Sequence, residues 1–162
     1  MALAGTFALG GRRMTAQNVP AVPDNLKVPA GATLKLRAHG AGDQVYICDG
    51  SSWTFSRPDA KLFGDAGEPI GAHFAGPTWE LSDGSRVTGK VIAKAIPDPQ
   101  AIPWLLLEVT GHEGSGLLSQ VNLIQRIETS GGTAPAEGCD AAHKGQETRS
   151  HYAAIYLFYA GS

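Results

Sequence analysis

Cysteine is scarce in this chain, with two among 162 residues, Cys48 and Cys139. No CxxC pair and no Cys/His ligand spacing accompanies them, so structural zinc is not indicated. Two readings of the pair stand open: reduced, buried thiols, or one long-range disulfide, which an exported chain would favour. Closing so long a loop would stabilise the fold by roughly 4 kcal/mol through loop-closure entropy. A basic surplus is also missing. Thirteen Lys and Arg face 15 Asp and Glu, a formal net charge of −2, so no excess charge is available to neutralise phosphates and no nucleic-acid partner is expected. No apolar run approaches the roughly 20 residues needed for a helix to cross a bilayer, so no membrane span is expected. No repeat of fixed period shows itself, and Asp49-Gly50-Ser51 and Asp83-Gly84-Ser85 read as recurring turn chemistry.

What is present points to a globular β protein. Hydrophobic residues make up 43% and charged residues 17%, which suits a packed core. Twenty-one glycines and ten prolines, without any period, imply many turns. Residues 1–25 read as tail. Within them, residues 2–11 are a short apolar run with no basic stretch before it and Arg12-Arg13 after it. That order fits the back end of a signal peptide whose beginning is missing, with residues 15–17 near the processing site; the other reading is a polar tail. Residues 26–162 then form a single β-rich domain.

The clearest local signal lies in residues 66–90. Thr78, Glu80 and Ser82 alternate with Trp79 and Leu81, Asp83-Gly84 follows, and a second alternating run begins at Arg86. Asp-Gly between two such runs predicts a type I′ hairpin pairing 77–82 with 86–93, in which Trp79 can share a face with Val87 or its neighbours, the register staying open. His73 falls on a short segment near a bend. Elsewhere, 26–28 and 33–38 alternate around a turn at 29–31, 40–43 reads as a further turn, and 44–48 and 53–55 read as strands. Pro58-Asp59 could open one helical turn. The apolar run 102–109 predicts a strand covered on both sides. Residues 119–129 fit either helix or strand, the β-branched content favouring strand. Residues 111–116 and 130–146 read as loops, and 151–159 as a strand with Tyr152, Ala154, Tyr156 and Phe158 on one face. The expected fold is all-β, a single antiparallel barrel or sandwich with little helix.

Six stretches taken together carry a resemblance: VPAG at 28–31, QVYICDG at 44–50, GAHFAGPTWELSDGS at 71–85, IPWLLLEV at 102–109, IQRIETSGGTAPAEGCD at 124–140 and YAAIYLFY at 152–159. Across residues 19–160 the chain resembles an exported bacterial and fungal family of unknown function, some of whose fungal members carry a malate dehydrogenase label. The resemblance implies a secreted or periplasmic location, a compact β-rich domain and a link between Cys48 and Cys139. It supplies no catalytic residue and no cofactor. The dehydrogenase label finds no support, since no GxGxxG opens a βαβ unit.

Candidate chemistry centres on His73 with Glu80 and Asp83. An imidazole beside carboxylates can move protons or hold a metal. The plainer reading is a hydrogen-bonded strand histidine, an exposed Glu80 and an Asp83 that serves its turn. His112, Glu113, His143 and His151 add possible ligands, but no spacing supports a metal site and none is assigned. Gly114-Ser115-Gly116 is not a nucleophile elbow. Trp53, Trp79, Tyr46 and His73 are the candidate ligand-binding residues, because aromatic faces near turns suit apolar ligands while retaining a polar handle. Trp104 reads as core, and Arg126 and Arg149 as surface charges. The leading expectation is a non-enzymatic exported domain that binds a small molecule, a glycan or a surface partner. A hydrolase or metal-dependent enzyme using His73 and Glu80 is one alternative, and a structural envelope or interaction protein is another. Oligomeric state is not encoded legibly.

Overall fold

Strands with one covered face need partners on both edges, and a chain made almost wholly of them can satisfy every edge by closing on itself. In the computed structural model, which describes residues 19–161, eight strands do so. They are β1 (Thr33–Cys48), β2 (Trp53–Phe63), β3 (Pro69–Phe74), β4 (Thr78–Leu81), β5 (Arg86–Ala95), β6 (Trp104–Glu113), β7 (Val121–Gly131) and β8 (Glu147–Ala160). Each pairs antiparallel with its sequence neighbours, and β8 pairs with β1 to close an up-and-down barrel. The helical elements among the described residues are three short 3-10 turns, Asp24–Leu26, Leu117–Gln120 and Ala141–His143. The all-β expectation therefore holds, as a barrel and not a sandwich. The expected signal remnant lies almost wholly outside the described residues.

Several boundaries differ from the sequence reading. Residues 40–43 are not a turn: β1 runs straight through them. Gly40 is needed for proximity, since a Cβ there would lie 2.5 Å from the Tyr156 ring. Pro58-Asp59 opens no helical turn either. Pro58 pairs with Gln44 in regular register, and its other edge lies beyond the β2–β3 ladder, which begins at Ala60, so a proline is tolerated there. Residues 26–28 form no strand, and β6 continues through Gly111 to Glu113. The ambiguous segment 119–129 is mostly β7, preceded by a 3-10 turn. The expected β4–β5 hairpin forms, and its register sets Trp79 opposite Val87. Its turn is not type I′: Gly84 alone takes positive φ (91°), and its N–H donates to Leu81 O at 3.0 Å.

Period-2 alternation sorts β8 onto two cores. Tyr152, Ala154, Tyr156 and Phe158 point into the barrel with Trp79, Leu107 and Ile124. Ile155, Leu157 and Tyr159 point outward, where Val22, Val28 and Leu34 cover them. Gln125 ties that covering segment down, its Nε2 donating to Leu26 O at 2.6 Å. The loop 132–146 is pinned by a Cys48–Cys139 disulfide, with Cα atoms 5.4 Å apart.

The two barrel ends are furnished differently. The loops 64–68, 82–85 and 114–120 meet at one end. There Leu118, fully buried, plugs the interior. Asp83 holds the plug in place: its Oδ2 accepts Leu117 N–H at 2.7 Å, and its Oδ1 accepts the Ser85 hydroxyl at 2.6 Å. The Ser85 hydroxyl oxygen in turn accepts Leu118 N–H at 3.2 Å. The loops 49–52, 75–77, 96–103 and 132–146 meet at the other end, which carries the disulfide.

Candidate functional site

The antiparallel register of β3 and β4 sets His73 opposite Trp79, both facing inward. Their rings stack, with centroids 4.3 Å apart and planes 14° from parallel. Tyr156 of β8 meets both edge-on, at 5.1 Å from His73 and 5.8 Å from Trp79. His73 Nδ1–H donates to Thr78 O at 2.8 Å, which fixes the tautomer and leaves Nε2 as an acceptor with no partner among the described residues. Burial pushes the His73 pKa down to about 3, and the nearby Arg126 cation adds to the effect, so the ring is neutral.

These residues border a cavity of about 250 Å³ at the disulfide end of the barrel. Its deeper wall includes Leu107 and Tyr156, and its mouth is edged by Phe55 and Val91, both exposed apolar side chains. Gln44 on β1 contributes an amide that is 2% exposed, and its Nε2 has no hydrogen-bond partner among the described residues. The Trp79 indole N–H, equally buried, also has none. The Tyr156 and Tyr152 hydroxyls bond each other at 2.9 Å, and burial raises the pKa of both phenols.

Arg126 enters the cavity from β7. It pairs across the sheet with Leu105 and Tyr156, whose side chains face the barrel interior. Its Nε and Nη2 donate to Pro103 O at 3.1 and 2.8 Å. Among the described residues, Arg37, Arg57, Arg86 and Arg149 each pair with a carboxylate, and Arg126 alone does not. The expectation of a surface charge fails for Arg126. It holds for Arg149, which pairs on the outside with Asp59 at 2.8 Å.

The structure does not bring the His73, Glu80 and Asp83 set together. Alternation in β4 turns Trp79 inward and Glu80 outward, where Glu80 accepts from Arg86 Nε at 2.7 Å. Asp83 sits at the plugged end, its pKa lowered first by the Ser85 hydroxyl and then by Leu117 N–H. Of the four candidate ligand-binding residues, His73 and Trp79 line the cavity. Tyr46 lies beside it, edge-on to Phe55 at 5.8 Å, with its hydroxyl committed to Gly132 O at 2.5 Å. Trp53 is elsewhere, its indole N–H donating to Glu137 O at 2.8 Å on the disulfide loop. The other histidines are dispersed: His112 bonds Val121 O, His143 bonds Asp140, and His151 faces Asp43. No three His, Cys, Asp or Glu side chains group together among the described residues.

Sequence reasoning missed Gln44 and Arg126. The signal was available in parity, because Arg126 shares a strand face with Ile124, and Gln44 shares one with Tyr46. Comparison with curated proteins and with solved structures returns no match. Residues 29–160, most of the chain and all eight strands of the barrel, match the family described as "Protein of unknown function (DUF3455)", and the chain belongs to that family.

Proposed function

We propose that this chain is an exported barrel that binds a small molecule in the cavity bounded by His73, Trp79, Gln44 and Arg126. One observation carries the reading: a cavity of about 250 Å³ opens into the lumen beside buried polar groups that lack partners. Eight-stranded barrels have interiors just wide enough to be filled by side chains or by one small ligand. Here one end is filled and the other is not. Polar groups buried without partners cost stability, so a ligand that supplies those partners would recover it. A glycan chain fits less well, because the mouth is apolar and the cavity holds only one small body. The disulfide supports an oxidising, extracytoplasmic setting.

Catalysis through His73 and Glu80 is less well supported than binding. A histidine with a pKa of about 3 is a weak base at neutral pH and serves better as a neutral acceptor through Nε2. Glu80 lies on the outer face with Arg86. The test is a thermal-shift screen of small molecules, followed by calorimetry on the hits. Val91→Trp, a change at the exposed rim, should block the mouth and abolish binding while leaving the melting temperature of the free protein unchanged. Glu80→Gln should leave affinity intact. Hits that bind the Val91→Trp variant as well as the native protein would overturn the cavity reading, and so would a blank screen.

A further inference from the structure

We infer that the cavity recognises an organic anion, a monocarboxylic acid with a single ring or short apolar body, held by Arg126. The inference rests on the binding reading above and specifies the ligand's charge and size.

The argument starts from charge. Arg126 is a half-buried cation whose neighbours in the lumen, His73, Tyr46, Tyr152 and Tyr156, are all neutral at physiological pH. The other four described arginines each have a carboxylate within ion-pair distance. A guanidinium carries five N–H donors in a planar fork. Two nitrogens of Arg126 are directed at one carbonyl, Pro103 O, which holds the side chain in the lumen and leaves other donors unspent. Placing an unpaired cation inside a barrel is unfavourable, and a fixed guanidinium is matched best by the two oxygens of a carboxylate. Gln44 and the Tyr156 hydroxyl stand on the same cavity wall as further hydrogen-bonding groups.

Size and polarity constrain the rest of the ligand. A cavity of roughly 150 Å³ lined by apolar side chains admits benzene. The 250 Å³ here has room for one ring, or a chain of similar bulk, together with a carboxylate. Phe55, Val91, Leu105 and Leu107 make up much of the rest of the lining and suit an apolar body. A sugar acid would leave its hydroxyls against these side chains without partners, so an apolar acid is the better match.

The experiment is calorimetric titration of the intact, oxidised protein with matched pairs: benzoate and benzamide, phenylacetate and phenylacetamide, hexanoate and hexanamide. Each pair keeps the shape and changes the charge. At least one acid should bind at least about tenfold tighter than its amide. Arg126→Gln should erase that preference, and Arg126→Lys should retain part of it. Amides that bind as tightly as their acids, or more tightly, and lose binding in Val91→Trp would overturn the anion inference while leaving the cavity reading in place. Failure of every acid and every amide would overturn both. The acid–amide comparison is made on the native protein, so it stands even where an Arg126 variant fails to fold.

Discussion

The two ends of this barrel solve the same problem in opposite ways. At the plugged end a hydrogen-bonded set holds the plug: Asp83 accepts from Leu117 and Ser85, Ser85 accepts from Leu118, and Arg37 Nε, which has no hydrogen bond among the described residues, faces the Asp65 carboxylate at 3.5 Å. Leu118 fills the interior, and the end is held by packing. At the disulfide end the interior is incompletely filled and, among the described residues, Gln44 Nε2 and Trp79 Nε1 lack partners and Arg126 has no counter-ion. That end is held by a covalent bond across the loop 132–146. The difference teaches where to look for function. Two unpartnered buried donors and an arginine without a carboxylate gather around one cavity, which supports the reading of that end as the binding end.

The comparison predicts an ordered series of effects. Leu118→Ala should be the most damaging, lowering unfolding free energy in urea by roughly 2–5 kcal/mol through the cavity it leaves, without changing ligand affinity. Removing the disulfide with Cys48→Ser and Cys139→Ser should cost about 2–4 kcal/mol. Proteolysis should then cut within 132–146, and the plugged end should keep its hydrogen-exchange protection. The third effect is pH-dependent. His73 has a folded pKa depressed from 6.5 to about 3, so the unfolded chain binds the proton first. Its contribution is whole above pH 6.5 and is lost as pH falls toward 3, by up to about 1.4 kcal/mol per pH unit. Chemical unfolding of native and His73→Gln proteins across that range should give a stability difference that shrinks with acid and is flat above neutrality. The smallest effect, and the one of opposite sign, belongs to Arg126→Met. Removing an uncompensated cation should leave unfolding free energy within about 1 kcal/mol of native or raise it slightly, a change urea denaturation would detect.

The sequence was most legible where alternation is strong. The Trp79 hairpin, the inward face of β8 and the all-β class follow from period-2 patterning, because side-chain parity on a strand is geometrically fixed. The continuity of β1 and β2 was hidden by Gly40, Gly42 and Pro58, which read as turn residues locally. Only the approach of Tyr156, a residue far along the chain, shows why Gly40 belongs in a strand. The site was half legible for the same reason. His73 and Trp79 stood out as an aromatic pair beside a turn. Glu80 is close to them in sequence, but strand parity puts it on the opposite face. Arg126 is distant from them in sequence, and only closure of the barrel through β7 and β8 brings it to the same cavity.

The most direct test of the central claim is a ¹⁵N–¹H titration of the native protein with phenylacetate, following the three indole N–H resonances, the Arg126 Nε–H and the Leu118 amide. If the open end is the ligand site, the Trp79 indole and Arg126 Nε–H signals move together and saturate, while Trp53, Trp104 and Leu118 stay in place. Saturating shifts at Leu118 or at the Trp53 indole with Trp79 and Arg126 unmoved would contradict the account.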